Sequence, residues 1–461
     1  MHLDDAALII RRAITALACV ALACVSGCKQ GSSAADAGAV AFTSQELAAL
    51  ATLSPATLPA PGADVTNRFA DNSAAALLGQ KLFMDPAFSG ALLDSDNDGH
   101  PGALGTKGDT GKVSCAGCHV PSAGFSDDRS VNHTISLASG WNLRKTPSLL
   151  DVGQAKAVMW DGRHDTLFNQ PFGPIENPTE MNSSRLYVAE QIYARYRSDY
   201  QEIFGQMPDL SVLPQLDAIH TGCNQLAGGS VAPICHGIPG DGAEYDGLSA
   251  TQQDQVTRVL VNLGKAMGAY ERLLSCGAGR FDRWLAGDAA AMTASEQRGA
   301  QVFVGKGQCI QCHSGPFLSD QAYHNVGLRP AVVQVGVAGD SGDRGAFIGL
   351  AQALADPLNS RGAYSDGDDG RLATPVSSQD GAFRTPTLRC VSGRPSFMHT
   401  AQISNLADVV TFFNQGGLTG GYPGTSEIGA LGLTDQEKAD LVTFLGTLDG
   451  PGPSASLLTP P

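Results

Sequence analysis

Cys115-Ala116-Gly117-Cys118-His119 and Cys309-Ile310-Gln311-Cys312-His313 are two copies of one pattern, C-x-x-C-H, in a single chain. Two thiols two residues apart can each add to a haem vinyl group, and the His that follows then falls under the iron as its proximal ligand. The pattern therefore predicts two covalently bound haem c groups, attached through Cys115, Cys118, Cys309 and Cys312, with His119 and His313 on the irons. With 11 Cys and 10 His among 461 residues, roughly 0.006 matches are expected by chance, so two are not accidental. A dithiol redox motif or half of a zinc site would have no need for a His directly after each pair.

The residues before the two motifs also repeat. Leu77-Leu78-Gly79-Gln80-Lys81-Leu82-Phe83 precedes the first and Gln297-Arg298-Gly299-Ala300-Gln301-Val302-Phe303 the second, each a helical pattern ending in Phe. The expectation is a mainly α fold with two cytochrome-c-like haem domains packed at a haem–haem interface. Val256, Val259, Leu260, Leu263, Met267 and Tyr270 form the apolar stripe of a long amphipathic helix. Thr293-x-x-Glu296 and Thr434-x-x-Glu437 read as capping boxes, the second opening a helix that turns Leu441, Phe444, Leu445 and Leu448 inward. No run of alternating strands is present, and 206–247 reads as an irregular insertion.

The N-terminus points to export. Arg11 and Arg12 precede an apolar stretch, Ala13 to Val25, that ends in Ser26-Gly27-Cys28. This is the order of an export signal, and the stretch is too short to span a bilayer. Val25-Ser26-Gly27-Cys28 resembles the bacterial lipobox, so a lipid anchor on Cys28 is expected, with an ordinary secreted signal as the alternative. The Ala-rich and Pro-rich residues up to position 65 read as a tether. In an oxidising compartment the remaining thiols, Cys223, Cys235, Cys276 and Cys390, pair most simply as Cys223–Cys235 and Cys276–Cys390, on proximity and elimination alone. Asp and Glu number 45 against 30 Lys and Arg, a net charge of −15. That balance argues against nucleic acid as a partner and makes any charge-steered partner basic.

Leu78-Gly79-Gln80-Lys81-Leu82-Phe83, Thr146-Pro147-Ser148-Leu149-Leu150, Trp160-Asp161-Gly162-Arg163, Glu180-Met181, Tyr323-His324-Asn325-Val326-Gly327 and Gly381-Ala382-Phe383-Arg384-Thr385-Pro386-Thr387-Leu388-Arg389 extend the pattern. Together with the two haem motifs, this ordered set resembles the bacterial di-haem cytochrome c peroxidase family, which includes the methylamine dehydrogenase maturation enzyme. The resemblance runs from about Leu77 to Gly450. It implies an N-terminal peroxidatic haem domain (66–275, with the insertion 206–247) and a C-terminal electron-transfer haem domain (276–453), which follow the lipoprotein-type signal (1–28) and the tether (29–65) read above.

It also implies a periplasmic enzyme that reduces hydrogen peroxide with electrons from a small soluble donor, cytochrome c or a copper protein (cupredoxin). Trp160, Gln170 and Glu180 resemble the family's inter-haem Trp, distal-pocket Gln and catalytic Glu, so Glu180 is the expected acid/base and Gln170 the residue that holds substrate or water. Arg163 is expected to pair with a carboxylate. Two readings of His133 stand side by side: a loop ligand that caps the peroxidatic haem, or a surface His. The alternatives for the whole chain are a maturation-type enzyme that oxidises a partner protein and a two-haem electron carrier. A carrier has no use for Glu180 or Gln170.

Two positions, Lys145 and Phe413, depart from the resemblance, and one acidic loop stands apart from it. Lys145 stands where the family has an Asn calcium ligand, and an ammonium cannot ligate a cation, so inter-domain calcium is not expected. Asp94-Ser95-Asp96-Asn97-Asp98-Gly99 resembles the opening of an EF-hand loop, but its twelfth position is Gly105 rather than Glu, which favours a polar insertion loop over calcium. Phe413 occupies the place of the family's Met or Tyr axial ligand to the C-terminal haem. Met398 and His399 are the donors nearby, expected in the core and at a haem propionate respectively.

Overall fold

The computed structural model describes residues 40–54, 58–97, 103–129, 136–216, 243–329 and 342–461. The helices that build its two main cores include α1 (Ser44–Leu53), α2 (Ser73–Met84), α3 (Arg185–Arg195), α4 (Ala250–Glu271), α5 (Ala294–Val304), α6 (Leu406–Gln415) and α7 (Asp435–Leu445). Among the described residues the only sheet is one antiparallel pair of two-residue strands, β1 (Tyr323–His324) and β2 (Phe383–Arg384), in which Tyr323 faces Arg384 and His324 faces Phe383. The rest of the described chain is further helices, among them Arg197–Phe204 and Ala346–Ala355, with short helical turns and loops.

Two apolar cores divide the molecule, one around each C-x-x-C-H. The first gathers Leu78, Leu82 and Phe83 from α2 against the predicted stripe of α4, in which Val256, Val259, Leu260 and Tyr270 are fully buried. The second gathers Ala300 and Phe303 of α5 against Leu441, Phe444 and Leu445 of α7. Both expected capping boxes form, Thr293 with Glu296 and Thr434 with Glu437, satisfying amides that the first turn leaves without partners.

The two halves share one packing device. Gly79 lies so close under α4 that a Cβ there would stand 2.0 Å from the Ala266 carbonyl oxygen, and a Cβ on Gly299 would stand 2.0 Å from that of Asp440 on α7. Glycine at the same place in each repeat lets the helix before the haem motif press onto a partner backbone. The sequence repeat is thus a repeat of backbone contact.

The tether expected over 29–65 needs correction. Ser44–Leu53 is a helix with a Thr43–Glu46 capping box, and Leu50 and Leu53 are fully buried in the second core. Behind it, Ser54 Oγ donates to Asp282 (2.6 Å), and Arg389, itself fully buried, grips the same carboxylate through two nitrogens while reaching the Leu53 carbonyl (3.3 Å). An Ala-rich stretch with Leu at helical spacing reads as a linker until a groove exists for those leucines.

At the other end, Leu457 and Leu458 pack on the first core, Tyr270 Oη donates to the Leu457 carbonyl, and the Gln80 amide donates to the carbonyls of Ser456 and Thr459. The chain ends therefore cross over, the N-terminal helix onto the second core and the C-terminal tail onto the first. A disulfide joins Cys276 to Cys390, the pairing expected by elimination. Cys223 and Cys235 lie outside the described residues. The described edges of the 206–247 insertion are not loose, since Met207, Leu210, Leu213 and Tyr245 are buried in the first core. Among the described residues no helix is long and apolar enough to cross a membrane.

Candidate functional site

Each C-x-x-C-H is a single tight turn held from outside. Ser114 caps the first, its Oγ accepting from the Gly117 amide, and in both motifs the His amide bonds back to the first Cys carbonyl, His119 to Cys115 (2.7 Å) and His313 to Cys309 (2.8 Å). In the second motif the two thiols and the imidazole line one cavity. All four Cys are free thiols here, and burial pushes those of Cys118 and Cys309 up to about 12. These groups sit in apolar surroundings suited to a bound macrocycle, not to exchange with solvent.

The two imidazoles are oriented alike. His119 Nδ1 lies 3.1 Å from the Phe125 carbonyl oxygen and His313 Nδ1 2.9 Å from that of Leu318. Both acceptor residues have positive φ, Phe125 57° and Leu318 52°, a rare backbone conformation repeated at the same functional point. With Nδ1–H donated to a carbonyl, the lone pair stands on Nε2, which is the arrangement of a metal-ligating His. Burial lowers both imidazoles to about 4, opposed only in part by those carbonyls, so they are neutral and competent to ligate at any physiological pH.

Around the second motif lies a cavity of about 500 Å³, lined by Cys309, Cys312 and His313 together with apolar side chains of α5, α6 and α7. Three buried or half-buried cations on its wall, Lys145, Arg384 and Arg394, form no ion pair among the described residues, and Arg394 Nε has no hydrogen-bond partner. Burial depresses all three, Lys145 to about 7 and Arg394 to about 10. A site that collects unpaired cations beside an apolar, thiol-bearing cavity fits haem, which is flat and apolar and carries two carboxylates. Phe413, Met398 and His399 all line this cavity. The His399 ring lies face to face with Phe383 at 3.6 Å between centroids, and burial lowers it to about 3.

The first site is built from the turns that follow it. Glu180 is a buried carboxyl whose charge acts on both Cys115 and Cys118. Its Oε1 accepts from Asn177 Nδ2 (2.9 Å). Burial raises it above the usual carboxylate range, with Arg163, the Asn177 amide and His164 pulling the other way. Arg163 meets the expectation of a carboxylate partner at Asp161 (3.2 Å). Gln170 Nε2 contacts Met159 Sδ (3.4 Å), next to Trp160 in the chain.

Trp160 belongs to the other cavity, which its ring lines. Its Nε1 donates to the Lys145 carbonyl (2.7 Å), its own carbonyl accepts from the Arg384 amide (2.8 Å), and its ring meets that of His399 edge-on at 6.4 Å. Glu180 and Trp160, ten residues from Gln170 on either side, are thus divided between the two sites. His133 lies outside the described residues, as do Asp98 and Gly99 of the acidic loop. Of that loop's described carboxylates, Asp96 accepts from the Trp141 indole (2.8 Å). The only metal-spaced cluster of His, Cys, Asp or Glu among the described residues is Cys312, Asp320 and His324, and it includes a haem-motif thiol.

Sequence reasoning passes over Arg394 and finds only part of the role of Lys145. Gly393-Arg394-Pro395-Ser396 reads as a solvated turn, and no local pattern announces that it faces a cavity. It also misses Glu271, a buried carboxyl raised to about 8 by burial whose charge acts on Cys115. On the sequence Glu271 is one polar residue at the end of the apolar stripe of α4.

Comparison with known proteins agrees with this geometry. The model of the family described as di-haem cytochrome c peroxidase matches residues 73–227. The methylamine utilization protein MauG of Methylorubrum extorquens is 29% identical over 80% of this chain and 77% of its own. The cytochrome-c peroxidase IdrP1 of Denitromonas iodatirespirans is 26% identical over 80% of each, and the cytochrome c551 peroxidase of Nitrosomonas europaea 27% identical over 60% of this chain and 64% of its own. Among solved structures, the diheme peroxidase BthA of Burkholderia thailandensis superposes with a TM-score of 0.57 at 22% identity, over 86% of this chain and 92% of that one, a likeness of fold. Paired haem motifs, matched His orientation and these relatives agree with one another: the chain carries the match to the di-haem cytochrome c peroxidase family over residues 73–227 and is similar to named members of that family over most of its length.

Proposed function

We propose that this protein is a periplasmic di-haem c-type peroxidase that reduces hydrogen peroxide to water with electrons from a small soluble donor, a cytochrome c or a cupredoxin. The observation that carries the reading is Glu180, a carboxyl raised by burial whose charge acts on both Cys115 and Cys118. Haem, when bound, would supply the iron that takes up peroxide and would pass on the electrons of the donor.

The overall change, H2O2 + 2 H⁺ + 2 e⁻ → 2 H2O, leaves the protein a proton to manage. Glu180 accepts the proton of the inner peroxide oxygen and returns it to the outer one, so that the departing group leaves as water. Its raised affinity for protons suits both halves of that task, because a general acid–base works best with a pKa near the operating pH. Asn177 holds the carboxyl in place, and Arg163, anchored on Asp161, keeps the ionised form accessible. Gln170 holds peroxide or water in the same pocket, and the C-terminal site receives electrons and passes them by way of Trp160. His133 caps the peroxidatic haem or lies at the surface. Cys28 anchors the protein to the membrane through lipid.

A maturation-type enzyme oxidising a partner protein is the second reading, favoured by the 29% identity to the methylamine utilization protein. Donor-dependent peroxide turnover, measured with reduced cytochrome c and again without it, separates the two. Rapid turnover with donor supports the peroxidase, and its absence supports the alternative.

A further inference from the structure

Lys145 is 4% exposed and forms no ion pair among the described residues. Its Nζ donates to one main-chain carbonyl, that of Ser396 (2.5 Å), which uses one of three N–H groups. The residue before it shows the contrast: Arg144 is held by Asp343 through two nitrogens (2.9 and 2.6 Å) and by Asp161 (2.5 Å). Asp127, which acts on Lys145 from a distance, is already paired with Arg129 at 3.2 Å. A buried ammonium without a carboxylate is costly unless an anion joins it.

The backbone of the same residue is the junction of the two sites. Its N–H donates to the His399 carbonyl (2.7 Å) and its carbonyl accepts the Trp160 indole (2.7 Å). Its side chain lines the C-terminal cavity beside Arg394 and Arg384.

We propose that the Lys145 ammonium pairs with a carboxylate of the C-terminal haem and raises that haem's reduction potential, while its main chain fixes Trp160 against the same site. The inference rests on the two-haem reading above. Reduction adds an electron, so a fixed positive charge close by favours the reduced form. Burial lowers Lys145 to about 7, and an anion beside it restores the charged state.

The test is a spectroelectrochemical titration of the purified protein carrying both haems, with the C-terminal haem identified by its loss in Cys309→Ser/Cys312→Ser protein. Lys145→Met keeps the length of the stem and removes the charge; Lys145→Arg keeps the charge. At the potential where the wild-type C-terminal haem is half reduced, Lys145→Met should lower its reduced-to-oxidised ratio by about tenfold or more, as loss of a unit charge at a few ångströms implies. Lys145→Arg should stay close to wild type. A C-terminal midpoint unchanged in Lys145→Met overturns the proposal, as does an equal fall in Lys145→Arg. Where the Met variant does not take up haem, Lys145→Gln gives the same reading. The titration uses no peroxide, so the midpoints decide the question whether or not the protein turns peroxide over.

Discussion

The Trp160 indole nitrogen donates to the main-chain carbonyl of Lys145 at 2.7 Å, and the Lys145 amide in turn donates to the carbonyl of His399. Lys145 and Trp160, fifteen residues apart, are therefore locked in one chain of hydrogen bonds with the sequence-distant His399. The bond gives the Trp a fixed place on the wall of the C-terminal cavity, in line with its proposed use as a relay. An indole held only by apolar contact would be free to tilt.

Two haems should be attached covalently to each exported chain. Mass spectrometry of the denatured protein should show the mass of the polypeptide plus two haems, lost one at a time in Cys115→Ser/Cys118→Ser and Cys309→Ser/Cys312→Ser. One haem or none in the wild type would leave the peroxidase reading without its cofactors.

Glu180→Gln keeps the shape of the side chain and the Asn177 contact but cannot carry a proton. Turnover should fall by ~10²–10⁴-fold with both haem spectra retained, the usual worth of general acid–base catalysis. The wild-type carboxyl is raised by burial, so a base function is lost as pH falls through a value above the ordinary carboxylate range. The acid limb of the turnover profile should lie there and be absent in the variant. Near-normal turnover in Glu180→Gln ends the assignment.

Phe413 lines the C-terminal cavity where it offers iron no donor atom. Met398→Ala should therefore leave the ferric spectrum of that haem unchanged, and its potential should be lower than a thioether-ligated haem shows. A charge-transfer band of the iron–thioether type that vanishes in Met398→Ala would make Met398 the sixth ligand.

Gly299→Ala should destabilise the second half without touching its chemistry, because the new Cβ would stand 2.0 Å from the Asp440 carbonyl oxygen. Helices α5 and α7 would have to part, at a cost of about 1–3 kcal/mol in thermal or denaturant unfolding. A variant as stable as wild type would mean that the two helices have slack.

Much of the fold is legible in the chain because its signals are local. The two C-x-x-C-H motifs, the capping boxes and the stripe from Val256 to Tyr270 each declare themselves within a few residues, and the boxes and the stripe form as read. Helix α1 is not legible, since Leu50 and Leu53 have meaning only against Phe281 and the rest of the second core, more than two hundred residues away. Arg394 is hidden for the same reason: the turn that carries it faces inward because of where α6 and α7 pack. Lys145 gives half its meaning through its departure from the family pattern, while its hold on Trp160 runs through backbone atoms that no side-chain pattern encodes. Glu180 is singled out only by its resemblance to the family's catalytic Glu, and the structure adds the burial that raises its affinity for protons.

The most direct test of peroxidase function is steady-state consumption of hydrogen peroxide by the two-haem protein with reduced cytochrome c as donor, against the same assay without donor and against Glu180→Gln. One peroxide should be consumed for every two donor molecules oxidised, at a rate that collapses when either the donor or the Glu180 carboxylate is removed. Donor oxidation that is absent, or that proceeds equally well in Glu180→Gln, would contradict it.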